Sequence, residues 1–280
     1  NSHINTALPI IKKLGNEALV VKRDGFTNNV AKKLKNNNIK YNDIEGYFTK
    51  DLSRNIKKAK KLLKNKYKEL LKTGEFDKQN LNYLFLMYFP EMIRYIEIIN
   101  NMLSVEKPKL LVVMNEITTL GNIAVHIAKQ RSIKTLCIQH GAMADILGFS
   151  PVSTDKIAVW GKISEERIIE FGVDKGKVAI AGCPRFDKYF KVNFPYLRSR
   201  LYRDLRLDGK KGLFVLVGEG HYGFRGFANH HFSPRDIEDY FKTVLSTMKE
   251  FSKYYLIVKT RHNDKASILV KQMAERMNLD

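Results

Sequence analysis

Three short apolar segments, residues 135–138, 156–160 and 177–181, constrain the fold more than any other part of this sequence. Each is partly β-branched and is followed at once by a glycine or by the polar run Gln-His-Gly. Segments of this kind are typical of parallel strands that are buried on both faces of a sheet. The sequence therefore predicts three strands of an α/β fold in this region.

A helix is predicted between the second and third of these strands, over residues 163–171. We expect Ser164 to be its N-cap, and Gly172 directly follows its last position, where glycine is favoured because it adopts a positive φ readily. An open α/β sheet binds its ligand beyond the carboxyl ends of its strands. The polar residues at these strand ends are therefore the first candidates for function.

The same alternation extends toward the N-terminus. A strand at 110–114 and a helix at 120–130, begun by Thr118 or Thr119, give a βαβαβ order with right-handed crossovers. A long helical stretch, residues 50–105, comes before them. Further elements are predicted at residues 4–14 (helix, closed by Gly15), 17–21 (strand), 26–35 (helix) and 39–44 (strand).

A second α/β domain is predicted from residue 212, after a connecting helix at 196–205. Its predicted elements alternate strand and helix over residues 213–217, 237–251, 255–258 and 266–277. The predicted division is an N-terminal domain (1–190) with a helical insertion (50–105), a connection (191–211) and a partial C-terminal domain (212–280). A parallel sheet of only two or three strands has exposed edges and poorly covered faces. We therefore expect that the chain is a fragment of a longer protein, or that its second domain packs against another chain.

The charge composition of the chain restricts the classes of partner that it is expected to bind. The 280 residues carry 49 Lys and Arg against 29 Asp and Glu, a formal net charge of +20. This charge favours anionic partners such as nucleotide phosphates, an acidic glycan, nucleic acid or an anionic membrane, although a generally lysine-rich composition explains it equally well. No apolar run reaches the roughly 18 residues of a membrane-spanning helix. Cys137 and Cys183 stand in or beside apolar strands, which favours buried free thiols over a disulfide.

Four stretches resemble sugar-nucleotide enzymes of the GT-B type. They are Ile-Gln-His-Gly at 138–141, Asp-Lys-Ile-Ala-Val-Trp-Gly at 155–161, Gly-Val at 172–173 and Gly-Cys-Pro-Arg-Phe-Asp at 182–187. The sequence of these stretches is most similar to that of bacterial glycosyltransferases that build surface and capsular polysaccharide, and more loosely similar to that of UDP-N-acetylglucosamine 2-epimerases. The resemblance implies an α/β, GT-B-like fold of two Rossmann-like domains with parallel sheets. It speaks better for fold than for substrate, since one fold hosts many chemistries.

The same resemblance implies an activity and its partners. It implies transfer of a sugar from a nucleotide-activated donor, bound on the C-domain side of an interdomain cleft, to a glycan or lipid-linked acceptor. No cofactor is expected beyond the nucleotide-sugar co-substrate, and no metal. A cytoplasmic enzyme that touches the inner face of the membrane peripherally is expected. The oligomeric state is not indicated.

Two groups of site residues are implied by the resemblance alone. His3, followed by Leu8-Pro9-Ile10, resembles the turn after the first strand in GT-B transferases, which faces the cleft; an exposed terminal histidine is the alternative. Lys259, Arg261 and His262 resemble the Lys-x-His-Pro motif whose histidine contacts the donor phosphate. The spacing departs from that motif by one residue, and Asn263 replaces the proline. These three residues are otherwise interpreted as surface charges at a strand end.

Other candidates come from the residues themselves. His140 follows a buried strand, and Gly141 allows a ligand to approach the backbone; a structural histidine is the alternative. Glu116 ends the neighbouring strand and is the best-placed carboxylate for a general base, unless it caps the next helix. Group transfer needs such a base for the acceptor hydroxyl and cations or amide groups for the departing phosphate.

The glycine-rich segment after the strand at 213–217 is a further candidate. Gly218, Glu219, Gly220 and His221 begin a literal G-x-G-x-x-G pattern, but a dinucleotide fingerprint requires a helix directly after it, and here the predicted helix starts later. A loop whose backbone contacts phosphate is favoured instead. Paired histidines at 230–231 lack other ligands at metal spacing, and Arg185 is interpreted as part of a domain hinge.

Residues 56–67 form a strongly basic run with apolar positions at helical spacing. This pattern is interpreted as a solvated helix with a buried stripe, or as a helix that docks on a membrane surface or on the acceptor.

Three functions therefore stay open: a glycosyltransferase, a sugar-nucleotide 2-epimerase or hydrolase, and a non-enzymatic basic module that binds nucleic acid or an anionic membrane. Nucleic acid is disfavoured, since the sequence lacks the aromatic and basic interleaving of single-strand grooves.

Overall fold

The computed structural model describes residues 2–22, 28–143, 146–217, 234–259 and 266–279. The chain forms two compact units, Asn1–Lys191 and Val192–Asp280. The helices described are α1 (Ser2–Leu14), α2 (Asn28–Lys35), α3 (Lys50–Thr73), α4 (Lys78–Asn82), α5 (Phe89–Glu106), α6 (Thr119–Gln130), α7 (Lys162–Glu170), α8 (Phe194–Asp204), α9 (Pro234–Met248) and α10 (Ala266–Arg276). The strands are β1 (Val20–Lys22), β2 (Tyr41–Asp43), β3 (Leu110–Val113), β4 (Lys134–Ile138), β5 (Lys156–Val159), β6 (Val178–Ile180), β7 (Gly212–Val217) and β8 (Tyr254–Lys259).

Every strand pair in the described residues is parallel. In the first unit β1 pairs with β2, and a four-stranded sheet has the order β3-β4-β5-β6; in the second unit β7 pairs with β8. Helix α6 connects β3 to β4 and α7 connects β5 to β6, as in βαβ units, whereas the described residues between β4 and β5 contain only a 3₁₀ turn, Ile146–Gly148. The α/β class with parallel sheets is therefore confirmed.

The three apolar segments of the sequence are strands β4, β5 and β6, as predicted. The prediction that all three are buried is wrong for β6, which is the edge strand of the large sheet and has Ile180 51% exposed. Ile157 and Val159 of β5 and Ile168 of α7 are almost completely buried in one core cluster. A second cluster joins α5 to α6 through Ile98, Ile99 and their neighbours. Burial on this scale supplies the main stabilisation of such a unit.

Helix α7 begins earlier than the sequence predicted. Its N-cap is Gly161, which has an extended backbone, and Ser164 lies inside the first turn, so the prediction of a Ser164 cap is wrong. The chain enters the helix as soon as β5 ends, which leaves no room for a longer loop. At the other end Gly172 has φ +85°, as the prediction of a glycine terminator requires.

Residues 50–106 form a helical hairpin in which α3 packs against α5. The return arm contains a π-helical segment, Tyr83–Tyr88, between α4 and α5. Polar contacts between the hairpin and the rest of the unit include the Tyr88 hydroxyl, 3.2 Å from the Thr119 hydroxyl of α6, and an ion pair of Arg94 with Glu45. Among the described residues no helix is long and apolar enough to cross a membrane.

Candidate functional site

Polar residues gather beyond the carboxyl ends of β3 and β4. Asn115 and Glu116 follow β3, and Gln139 and His140 follow β4 directly. Asn115, Glu116 and His140 line a small cavity together with Phe149 and other residues of the first unit. The position agrees with the rule that open α/β sheets bind ligands at these strand ends.

Two histidines that the sequence singled out for separate reasons meet at this site. The His3 ring, at the start of α1, contacts the His140 ring edge to face, with the ring centroids 4.9 Å apart. His140 also stacks on Phe149 at 5.0 Å and forms a hydrogen bond with the Met114 backbone. His140 lines the cavity, whereas His3 is an exposed residue that reaches the site through its contact with His140. The catalytic roles of both histidines stay predictions.

The environment keeps both imidazoles uncharged. Burial lowers the pKa of His140 from 6.5, and the neighbouring His3 lowers it further, against the opposing effect of the Met114 hydrogen bond. Burial also lowers the pKa of His3. Both rings are therefore largely neutral at pH 7, so each can accept a proton and neither supplies a lasting positive charge to a phosphate.

Glu116 has a structural task that the sequence did not reveal. Its carboxylate is 3% exposed and accepts hydrogen bonds from the Ser153 amide (2.8 Å), the Thr154 amide (2.8 Å) and the Thr154 hydroxyl (3.1 Å). These bonds fix the segment that leads into β5. The alternative prediction, that Glu116 caps α6, is wrong, because the Thr118 hydroxyl accepts from the Gly121 amide and caps that helix. A role for Glu116 as a base stays a prediction, although its hydrogen bonds favour the anchoring role.

Gln139 forms a clamp that the sequence analysis missed. Its side-chain amide donates to the Gly141 carbonyl (2.8 Å), and its side-chain oxygen accepts from the Trp160 amide (2.7 Å). The Trp160 indole N–H in turn donates to the Gln139 carbonyl (3.1 Å). The Gln139 clamp therefore joins the ends of β4 and β5 on both sides of His140. A buried glutamine directly after an apolar strand was the available signal.

Gly141 and Cys137 complete the surroundings of His140. Among the described residues, a Cβ at position 141 would meet no atom within 4 Å, so no described side chain fills the space beside the glycine. Burial raises the pKa of the Cys137 thiol to about 12, which makes it an inert neutral group in the cavity wall. Neither cysteine of the chain forms a disulfide, and Cys137 is buried as predicted, whereas Cys183 is partly exposed.

Arg185 lies beside the clamp. Its guanidinium sits 4.8 Å from the centroids of both the Trp160 and the Phe186 rings, a cation–π arrangement. Within the described part of the chain, its buried Nε has no hydrogen-bond partner. These contacts fasten Arg185 to β5 inside the first unit; its interpretation as part of a hinge stays a prediction.

The second unit carries the predicted donor-side residues. Lys259 is the last residue of β8 and is exposed. The remaining candidates lie outside the described residues: Gly218, Glu219, Gly220, His221, Arg261, His262 and the histidine pair at 230–231. Over the ranges that the structure describes, no cluster of three or more His, Cys, Asp or Glu side chains could hold a metal ion.

Comparisons with known proteins find similarity at the level of structure and none at the level of sequence. No protein-family model and no curated protein sequence matches the chain. Solved structures with a similar fold include the UDP-GlcNAc 2-epimerase of Neisseria meningitidis bound to UDP-GlcNAc (TM-score 0.56, 12% identity, 97% of this chain and 66% of that one). A complex of Staphylococcus aureus MnaA with UDP matches with a TM-score of 0.52 and 14% identity over 99% of this chain and 64% of that one.

A glycosyltransferase shares the fold as well. The enzyme from Rickettsia africae ESF-5 matches with a TM-score of 0.50 and 10% identity over 95% of this chain and 65% of that one. The chain thus spans about two thirds of the length of the structures it resembles. At such low identity the likeness concerns the fold: the protein has a GT-B-like, Rossmann-type α/β architecture, which it shares with these three structures.

Proposed function

We propose that the chain belongs to a nucleotide-sugar enzyme, and specifically to a glycosyltransferase that moves a sugar from a nucleotide-activated donor to a hydroxyl of a surface polysaccharide or related glycan. The observation that carries the proposal is the contact between the imidazole of His140, at the carboxyl end of β4 in a GT-B-like sheet, and the imidazole of His3 at the start of α1. A neutral imidazole is the usual group for taking a proton from a hydroxyl near pH 7.

In the proposed reaction His140 is the base. The acceptor oxygen forms a bond to the anomeric carbon, its proton passes to a free nitrogen of His140, and the bond between the sugar and the phosphate breaks. Because His3 and burial both disfavour the protonated ring, His140 stays available as a proton acceptor. His3 thus acts as a positioning and tuning residue.

The departing phosphate needs positive charge. We assign this task to Lys259 together with Arg261 and His262, on the resemblance to the phosphate-contacting motif and without a bound metal. Calorimetry with nucleoside diphosphates tests the assignment. We expect Lys259→Ala and His262→Ala to weaken binding, and unchanged binding in both variants would remove these residues from the donor site.

The base is tested by its own variant and a matched control. We expect His140→Asn to lower kcat by about 100-fold or more with little change in KM, because general-base catalysis contributes about 10²–10⁴-fold. His126→Asn changes an exposed histidine of α6 and should leave kcat unaltered. Transfer is followed as release of nucleotide from a panel of sugar nucleotides in the presence of glycan acceptor. Equal kcat for wild type and His140→Asn would exclude the proposed base.

A sugar-nucleotide 2-epimerase is the second candidate. The observation in its favour is that the UDP-GlcNAc 2-epimerase from Neisseria meningitidis gives a slightly higher TM-score, 0.56, than the glycosyltransferase does, 0.50. Against it, Glu116 at this site already uses both carboxylate oxygens in hydrogen bonds. Incubation with UDP-N-acetylglucosamine alone separates the two. Epimer or free sugar without acceptor favours the second candidate, and turnover only after acceptor is added favours the transferase.

A further inference from the structure

One face of α3 carries a continuous row of positive charge. Seven basic side chains follow one another at intervals of three or four residues, which places them in a single row along the helix. All seven are exposed. We call this row the cation stripe; its members are Lys50, Arg54, Lys57, Lys61, Lys64, Lys68 and Lys72.

The stripe is separate from the face by which α3 is held. The less exposed positions Ile56, Leu63 and Tyr67 form a different row, and Ile56 is 7% exposed. Because that row packs against the return arm of the hairpin, the stripe is left facing solvent. At 1.5 Å per residue it is about 33 Å long.

The charges of the stripe are largely uncompensated. Within the described residues, the only ion pair that involves the stripe joins Arg54 to Asp51 at 3.8 Å, and both of its side chains are at least 75% exposed. Such a pair is screened by water and salt. Repulsion among like charges three and four residues apart costs helix stability, so the row is destabilising unless a partner neutralises it.

Exposed apolar side chains lie at one end of the same hairpin. Phe76, in the turn after α3, is 53% exposed, and Met87, in the π-helical segment, is 67% exposed. Tyr83 and Leu86 of that segment are exposed as well. The Tyr67 hydroxyl of α3 hydrogen-bonds to Asn82, so the π-helical segment that follows Asn82 lies beside the C-terminal half of α3, the helix that carries the stripe.

We propose that the cation stripe and the apolar end of the hairpin form a docking surface for an anionic phospholipid membrane. A straight row of lysines can meet a flat charged surface along its whole length, and each lysine near such a surface strengthens binding. Apolar side chains beside the row can enter the boundary between headgroups and acyl chains.

A polyanionic chain is a poorer fit to the same surface. Six of the seven cations are lysines, which act as point charges and lack the fork that arginine offers to phosphates. The stripe itself contains no aromatic side chain on which a nucleic-acid base could stack. Exposed Met87 and Leu86 are aliphatic and would gain little from a hydrophilic polymer, whereas a membrane removes them from water.

Flotation of the full chain with vesicles tests the proposal. We expect binding to vesicles that contain phosphatidylglycerol, none to vesicles of phosphatidylcholine alone, and weaker binding as salt rises. The triple variant Lys57→Gln, Lys61→Gln, Lys64→Gln should bind roughly 100-fold more weakly, on the basis of three lost surface lysines. The control triple Lys12→Gln, Lys109→Gln, Lys175→Gln removes the same charge from exposed lysines outside α3 and should bind as wild type does.

A second pair of changes tests the apolar end without altering charge. Phe76→Ser with Met87→Ser should weaken vesicle binding by about tenfold, since both side chains are already exposed and their loss leaves the folded core intact. Equal losses in the two lysine triples would overturn the proposal, as would binding to neutral vesicles. Stripe-dependent binding to polyphosphate or single-stranded DNA with no binding to anionic vesicles would overturn it in favour of a polyanion.

Discussion

The central strands of the large sheet and the β7–β8 pair are both parallel and apolar, and they differ in how they are covered. In β4 and β5, Ile138, Ile157 and Val159 are at most 6% exposed, whereas Val112 of the edge strand β3 and Ile180 of the edge strand β6 are 45% and 51% exposed. In the β7–β8 pair, Phe214 and Val215 are 42% and 55% exposed, although the strand is equally apolar in sequence. Apolar runs predict a parallel strand, and the helices packed on either side decide whether that strand is buried.

The candidate residues follow the same contrast. At the carboxyl ends of the large sheet, His140 lies among residues whose hydrogen bonds cross between strands, through Glu116 and the Gln139 clamp. At the end of β8, Lys259 is exposed. The site around His140 is therefore expected to be more sensitive to changes in its supporting residues than the end of β8 is. Four predictions test this contrast, from the largest expected effect to the smallest.

Removal of the buried carboxylate should do the most damage. Glu116→Ala leaves three donors of residues 153–154 without their acceptor and should lower the free energy of unfolding by roughly 3 to 5 kcal/mol. Glu116→Gln keeps an oxygen for the two amides and an N–H₂ for the Thr154 hydroxyl, so it should cost about 1 kcal/mol.

Urea unfolding followed by the fluorescence of Trp160, the single tryptophan, measures both variants in the first unit. Measuring the activity of Glu116→Gln distinguishes an anchoring role of Glu116 from a role as the catalytic base. Glu116→Gln with near-normal stability and near-normal kcat supports an anchor, whereas normal stability with kcat lost would restore Glu116 as the base.

The same side-chain truncation should have unequal effects in the two sheets. Val159→Ala in β5 opens a cavity at a position that is 0% exposed and should cost about 2 kcal/mol. Val215→Ala in β7 removes methyl groups that water already reaches and should cost about 0.5 kcal/mol or less. Amide hydrogen exchange reads the two sheets separately. Equal losses of protection in the two variants would show that β7 is as well covered as β5, and would contradict the difference in coverage between these strands.

Two glycines offer a third comparison. A Cβ at Gly121 of α6 would lie 2.0 Å from the Asn115 carbonyl oxygen, and a Cβ at Gly212 of β7 would lie 2.4 Å from the ring of Tyr254. Backbone cannot yield as an exposed ring can. We therefore expect Gly121→Ala to cost about 1 to 3 kcal/mol and Gly212→Ala clearly less, because the Tyr254 ring can rotate away. Thermal unfolding of the two variants checks the order, and the reverse order would contradict it.

The smallest expected effect is a pH dependence confined to the first site. The pKa of His140 is lower in the folded chain than its ordinary value of 6.5, so on acidification the unfolded chain takes up the proton first. Stability should therefore be constant above about pH 7 and should fall as the pH drops below 6.5. His140→Asn should flatten this slope, and His126→Asn should leave it unchanged. An identical slope in wild type and His140→Asn would mean that other groups cause the acid loss.

Much of the fold was predictable because its signals are local. The strands β4, β5 and β6 follow from short apolar runs that end at glycine or Gln-His-Gly, and Thr118 was among the expected helix starts. The meeting of His3 with His140 and the anchoring role of Glu116 were not, since they depend on which distant segments the fold brings together. The π-helical segment escaped prediction because its residue types are those of an ordinary apolar helix.

The Gln139 clamp has a consequence for how the site responds to its own chemistry. If His140 is the base that we propose, it changes charge in every catalytic cycle, and supporting groups that titrated with it would shift at the same time. The clamp consists of amide groups and an indole, and none of these gains or loses a proton near neutral pH. His140 can therefore take up a proton while the backbone on either side of it stays in place, so that protonation and movement are uncoupled at this position.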